Sequence, residues 1–292
     1  MASLIELKSL SSLTVLEMHV PKIYLLPHNL LFPHLSRFSI SIGYKPPPCD
    51  NIHSKLLFLG EIDARRPLQQ CITFLLKETE HLSLQRISGL KNVVDSLDKD
   101  GFRNLKCLFV EGCNDMEYIV TGNELNEDGG VFPKLETLTV EGEMDNLKVI
   151  CHGPPSHYSF RHLKVLKLFE LSGLWNFWDD HDMHSNQPFF NEKMKFPTLE
   201  ELEIWAVGGI VELWNLSDVE EEVQAFPRLV SLILGDLREL RSIWRSKNIV
   251  IHRSFRSLKS LRVFFCPKLE ILCPFSVAAG IEQLENLECF IQ

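Results

Sequence analysis

FPKLETLTVEG (132–142), FPTLEELEIWA (196–206) and FPRLVSLILGD (226–236) are three copies of one eleven-residue pattern. Aligned on the phenylalanine, six copies run through the C-terminal two thirds, beginning at Phe102, Phe132, Phe160, Phe196, Phe226 and Phe255, at intervals of 30, 28, 36, 30 and 29 residues. Each copy carries an apolar frame: Leu105, Leu108, Val110; Leu135, Leu138, Val140; Leu163, Leu166, Leu168; Leu199, Leu202, Ile204; Leu229, Leu232, Leu234; Leu258, Leu261, Val263. A second apolar edge follows in most copies, as Met116 with Ile119, Leu174 with Phe177, Ile210 with Leu213, Leu240 with Ile243, and Leu269 with Leu272. One short strand with two apolar edges cannot bury itself, so the copies must stack.

The frame L-x-x-L-x-[LVI], with Cys113 and Cys266 three residues beyond it, is the core of a leucine-rich repeat. The expected fold class is α/β: a leucine-rich-repeat solenoid, or horseshoe, with a parallel β-sheet on the concave face and mostly irregular or short helical convex segments. The L-x-L alternation sends framed residues inward and the intervening ones outward. The recurrent phenylalanine falls at one height in every coil and forms an aromatic spine inside the core. Where proline follows it, the fixed φ and missing N–H suit the last turn before a strand.

The first third is less regular. Leu13, Leu16 and Met18, then Phe32, Leu35, Phe38 and Ile40, fit the frame; Leu57 with Leu59, and Leu82, Leu84 and Ile87 with Leu90 and Val93, fit it less closely. The segment 43–50 (GYKPPPCD) reads as a proline-rich loop and 65–82 (RRPLQQCITFLLKETEHL) as a short helix. No linker separates two domains, so the expectation is one domain over 1–292: irregular coils in 1–101 and six regular coils in 102–292, about ten coils in all.

Composition narrows the function. With 45% hydrophobic and 24% charged residues the chain can bury a core. A net charge of -9 disfavours nucleic-acid phosphates and anionic membranes, leaving a protein partner. No stretch approaches the roughly 20 apolar residues of a membrane span, and MASLIELKSLSSL lacks the apolar core of a signal peptide. The eight cysteines form no C-x-x-C pair, which suits reduced thiols in a cytoplasmic protein.

The segments LIELKSLSSLTVLEMHVP (4–21), LLPHNLLFPHLSRFSISIG (25–43) and LKETEHLSLQRISGLKNVVDSLDKDGFRNLKCLFVEGCNDMEYIV (76–120), with the FPxLExLxI coils after them, resemble the leucine-rich-repeat region of plant intracellular immune receptors of the coiled-coil, nucleotide-binding class. That resemblance implies a recognition and autoinhibition module whose partners are a pathogen-derived effector or guarded host protein and the receptor's own nucleotide-binding domain. The intact receptor would bind ADP or ATP, but no G-x-x-x-x-G-K-[ST] loop is present here, so no cofactor is expected for this chain. Met1 would then open in the middle of a receptor, which leaves open a fragment or a stand-alone repeat protein. The alternative reading is a repeat adaptor of the ubiquitin-ligase type; it would need a helical docking module, and only about a dozen residues precede the first coil.

Outward-facing positions carry the candidate contacts. They are Phe109 and Glu111, Lys167 and Phe169, Glu203 and Trp205, Arg262 and Phe264, together with Lys164, on the same face and in the same coil as Lys167. Large exposed aromatics are enriched among interface anchors. The charges come in blocks of alternating sign (Lys164 and Lys167; Glu200, Glu201 and Glu203; Lys259 and Arg262), open to a complementary partner or to pairing within the sheet. The longest loop, 179–195, offers Asp179, Asp180, His181, Asp182 and His184, but their spacing matches no hydrolase motif and no metal is expected. Cys151 beside His152 forms no recognisable nucleophile and base, so no catalysis is expected.

Overall fold

The computed structural model describes residues 4–10, 12–27, 30, 32, 34–44, 54–98, 101–121, 130–153, 160–179, 188–190, 196–215, 226–245, 255–270 and 284–290. In all six regular copies the phenylalanine and the first leucine bracket a β-turn, the leucine N–H donating to the phenylalanine carbonyl at 3.1 to 3.3 Å. Pro133, Pro197 and Pro227 hold the second position of that turn, where a φ near −65° is required. Both bracketing side chains enter the core. A second turn of the same kind follows the strand, seen for example in Met116 to Cys113 at 2.9 Å and Leu240 to Leu237 at 3.2 Å.

Between these turns lie the strands of one parallel sheet: β1 (Val15–Val20), β2 (Arg37–Ile42), β3 (Lys55–Gly60), β4 (His81–Gln85), β5 (Cys107–Glu111), β7 (Thr137–Glu141), β9 (Val165–Phe169), β11 (Glu201–Trp205), β13 (Ser231–Gly235), β15 (Ser260–Phe264) and β16 (Asn286–Phe290). The register is unbroken, Leu108 opposite Leu138, Leu166, Leu202, Leu232, Leu261 and finally Leu287. The eleventh strand, β16, extends the six regular copies by one. Its frame is Leu284, Leu287 and Cys289, without the phenylalanine that marks the others.

The convex side differs from the expected irregular or helical segments. Short parallel strands occupy it in the regular coils: β6 (Val120–Thr121), β8 (Val149–His152) and β10 (Asn176–Asp179) form one small sheet, β12 (Glu212–Asn215) and β14 (Ser242–Arg245) another. Their β-branched and aromatic residues, such as Val149, Ile150, Phe177 and Trp244, suit a flat, buried surface. The α-helices among the described residues lie earlier, at α1 (Gln70–Glu78), inside the stretch expected to hold a short helix, and α2 (Val93–Leu97).

The spine is present as expected. Phe102, Phe132, Phe160, Phe196, Phe226 and Phe255 are buried, and adjacent rings pack, Phe196 on Phe226 at 5.4 Å and Phe226 on Phe255 at 6.0 Å. The stretch 179–195, expected to be loop throughout, instead puts Phe189 and Phe190 into this core. Phe190 stacks on Trp214 at 5.4 Å and meets Phe196 edge-on at 5.6 Å. The proline-rich loop from 45 onward and the residues 180–187 lie outside the described residues, as do Leu272 and the metal-ligand types after Asp179.

Each strand of the long sheet from β3 to β15 is left through one left-handed residue: Glu61, Arg86, Gly112, Gly142, Glu170, Ala206, Asp236 and Phe265 have φ between 46° and 87°. Such a φ is costly for side-chain-bearing residues. Here each one turns its N–H to the last strand carbonyl of the next coil, at 2.8 to 3.1 Å, adding one rung to the ladder.

Candidate functional site

Because core residues alternate with half-exposed ones along each strand, the outward residues line up in rows across the concave face. The middle row reads His19, Ser41, Phe58, Ser83, Phe109, Thr139, Lys167, Glu203, Ile233, Arg262 and Glu288. The end row reads Gly60, Gln85, Glu111, Glu141, Phe169, Trp205, Gly235, Phe264 and Phe290. Eight of the nine expected contact residues fall in these two rows. Lys164 does not: it lies one step before β9, in a row at the strand entrances.

That entrance row is set by backbone bonds from each coil to the preceding one. It reads Lys55, Glu80, Lys106, Glu136, Lys164, Glu200, Val230, Lys259 and Glu285, so the signs alternate except at Val230. Lys106 meets Glu80 and Lys164 meets Glu136, each at 2.8 Å, and Lys259 meets Glu285 at 3.5 Å. The Lys164 hydrogen bond holds the Glu136 carboxyl below its ordinary pKa. In the next rows Lys167 reaches Glu201 at 2.7 Å and Glu203 at 3.3 Å, and Arg262 reaches Glu288 at 3.5 Å. The charge blocks are therefore paired within the sheet. Exposed pairs of this kind contribute about 0–1 kcal/mol each.

One group of carboxylates is treated differently. Glu111, Glu141 and Glu170 make no ion pair with any described residue, and the Glu141 pKa is raised by burial and then by Glu111 and Glu170.

The aromatics of the end row form a ladder. Trp205 stacks on Phe264 with centroids 5.7 Å apart and planes 19° apart, although a whole strand lies between them. The intervening residue is Gly235, and any Cβ there would collide with the indole of Trp205. The missing side chain thus lets the indole lean across β13. Phe264 in turn stacks on Phe290 at 5.6 Å and 10°, and Phe290 is 58% exposed. Phe169 is the neighbour of Trp205 on the other side but adds no ring to the stack.

A family model described as plant disease resistance protein RPS2-like, leucine-rich repeats, matches residues 143–290, half of the chain. The chain belongs to this RPS2-like leucine-rich-repeat family. The match spans the regular coils that hold Lys164, Lys167, Phe169, Glu203, Trp205, Arg262 and Phe264, and leaves Phe109 and Glu111 outside it. Neither the curated proteins nor the solved structures contain a match.

Within these resistance-protein repeats, sequence reasoning missed Phe290, Glu288 and the part played by Gly235. The spacing of Leu284, Leu287 and Cys289 was the available signal for β16, and with it for Phe290. Cys151 is no activated nucleophile: burial pushes its thiol up to about 12, and Cys113 is likewise pushed up to about 11. The adjacent His152 faces the other way, stacking on Tyr118 at 5.0 Å and meeting Asp179 at 3.5 Å. No group of three or more metal-ligating side chains occurs among the described residues, and no described helix is long and apolar enough to cross a membrane.

Proposed function

We propose that this chain is the recognition module of a plant disease resistance receptor, a single non-catalytic domain acting in the cytoplasm without a cofactor of its own. Its concave face binds a pathogen-derived or guarded host protein, and the receptor's nucleotide-binding domain is held inactive against it. The observation that carries this reading is the aromatic ladder of Trp205, Phe264 and Phe290 on an outward face. A sheet that satisfies most of its own charges has little charge left to offer a partner, so the apolar rings are the source of binding energy. Truncating a hot-spot aromatic to alanine costs about 2 kcal/mol or more of binding.

The test uses a full receptor containing these coils. The double variant Trp205→Ala with Phe264→Ala should lose capture of its protein ligand or signal constitutively, with the fold retained by circular dichroism. Unaltered recognition together with an unaltered resting state would remove these residues from the interface.

A further inference from the structure

Away from the aromatic ladder, the concave face holds a depression of approximately 380 Å³ across β3, β4, β5 and β7. Its origin is legible in the middle row, where Ser83 stands between Phe58 and Phe109 on adjacent strands. A small residue flanked by two rings leaves a notch. Tyr44 closes one side, lying against Gly60, where a Cβ would approach the Tyr44 Cβ to 2.6 Å.

The lining selects by charge and by polarity. Among the described residues no Asp, Glu, Lys or Arg contributes to it, and Lys106, beside the lining residue Cys107, is engaged by Glu80 at 2.8 Å. A charged group entering would lose its hydration with nothing to replace it. Ser83 is only 7% exposed, yet its hydroxyl makes no hydrogen bond to any described residue; nor does the Gln85 amide or the Thr139 hydroxyl. Gln85 and Thr139 are half-exposed and the Ser83 hydroxyl is not sealed from solvent, so all three can exchange water for the donor or acceptor of a ligand. His81, also in the lining, has its pKa lowered by burial and so presents a neutral ring. The volume lies within the roughly 300–1,000 Å³ used for small-molecule sites.

We propose that this depression binds a small uncharged ring compound bearing a hydrogen-bonding group, its ring between Phe58 and Phe109 and its polar group on the Ser83 hydroxyl. The depression lies on other strands than Trp205, Phe264 and Phe290 and outside residues 143–290, and shares only Phe109 with the expected protein contacts.

Calorimetric titration of the purified 292-residue chain at pH 7 tests it with two size-matched probes, neutral 2-naphthol and anionic 2-naphthoate. The expected result is saturable one-to-one binding of 2-naphthol, at least about tenfold weaker binding of 2-naphthoate, and loss of 2-naphthol binding in Thr139→Trp, whose indole fills the depression. Ser83→Ala, which keeps the cavity, should weaken 2-naphthol several-fold and serves where Thr139→Trp does not fold. Trp205→Ala should bind 2-naphthol as the parent does, so failure of the protein-recognition reading and failure of this one are separable. Absence of saturable 2-naphthol binding, equal binding of both probes, or undiminished binding by both Thr139→Trp and Ser83→Ala each overturn the proposal. So does a depression that takes no 2-naphthol but whose filling by Thr139→Trp abolishes capture of a protein.

Discussion

Gly235 is one of two glycines in its row and shapes the row's aromatic half most. Its lack of a side chain is what allows Trp205 to reach Phe264 across an intervening strand. Gly235→Ala should displace the indole, costing about 1–3 kcal/mol as an overpacked site, with a lower melting temperature and an altered near-ultraviolet circular dichroism signal. Ala206, one position past the same row, poses the opposite problem: at φ 52° it gains from losing its Cβ. Ala206→Gly should be neutral to slightly stabilising, whereas Ala206→Val should destabilise by about 1–2 kcal/mol in thermal unfolding. At this scale the sequence was partly readable. Trp205 and Phe264 follow from L-x-L alternation alone, because alternation decides which face a side chain takes. The lean of an indole over a glycine depends on three strands at once, and no single copy contains it.

Among the elements, the F-P-x-L turn and the strand after it were readable because proline, phenylalanine spacing and alternation all point to one geometry. The convex strands were not. Runs such as VICH (149–152) and NFWD (176–179) are too short for periodicity to separate a strand from buried irregular chain. Phe189 and Phe190 were hidden by their polar neighbours, since D-D-H-D-M-H-S-N-Q-P (179–188) reads as solvated loop up to the residue before the core resumes. Helix α2 shows how a degenerate coil is fixed by a single residue. Asn92 is its N-cap: the side-chain oxygen accepts from the Asp95 N–H at 2.8 Å while the amide donates to Asp95 Oδ2 at 2.7 Å and to the Tyr118 hydroxyl at 3.1 Å. Asn92→Ala should therefore cost more than the ~1 kcal/mol of an isolated cap, measured by denaturant unfolding, because Asn92 is buried and ties two coils together.

Over the whole molecule, stacking turns single charges into columns, and the two kinds of column respond to acid with opposite sign. The Glu141 pKa is raised, so its contribution to stability is favourable below its ordinary value and is lost as pH rises through the raised one. Glu141→Gln should accordingly melt higher than the parent at pH 7, by a margin that shrinks as pH falls through that raised value and that salt reduces. The Glu136 pKa is lowered by Lys164, so its contribution is present above its ordinary value and is lost as pH falls through the lowered one; Glu136→Gln should melt lower at pH 7. The alternating entrance row has a further consequence, one of parity. Removing the coil of Glu136 would set Lys106 beside Lys164, like charge against like, whereas removing the coils of Lys106 and Glu136 together would set Glu80 beside Lys164 and restore a pair. Between Lys55 and Glu200 the solenoid can thus shorten or lengthen without electrostatic conflict only by even numbers of coils, and neutral Val230 marks the place where an odd change could be absorbed.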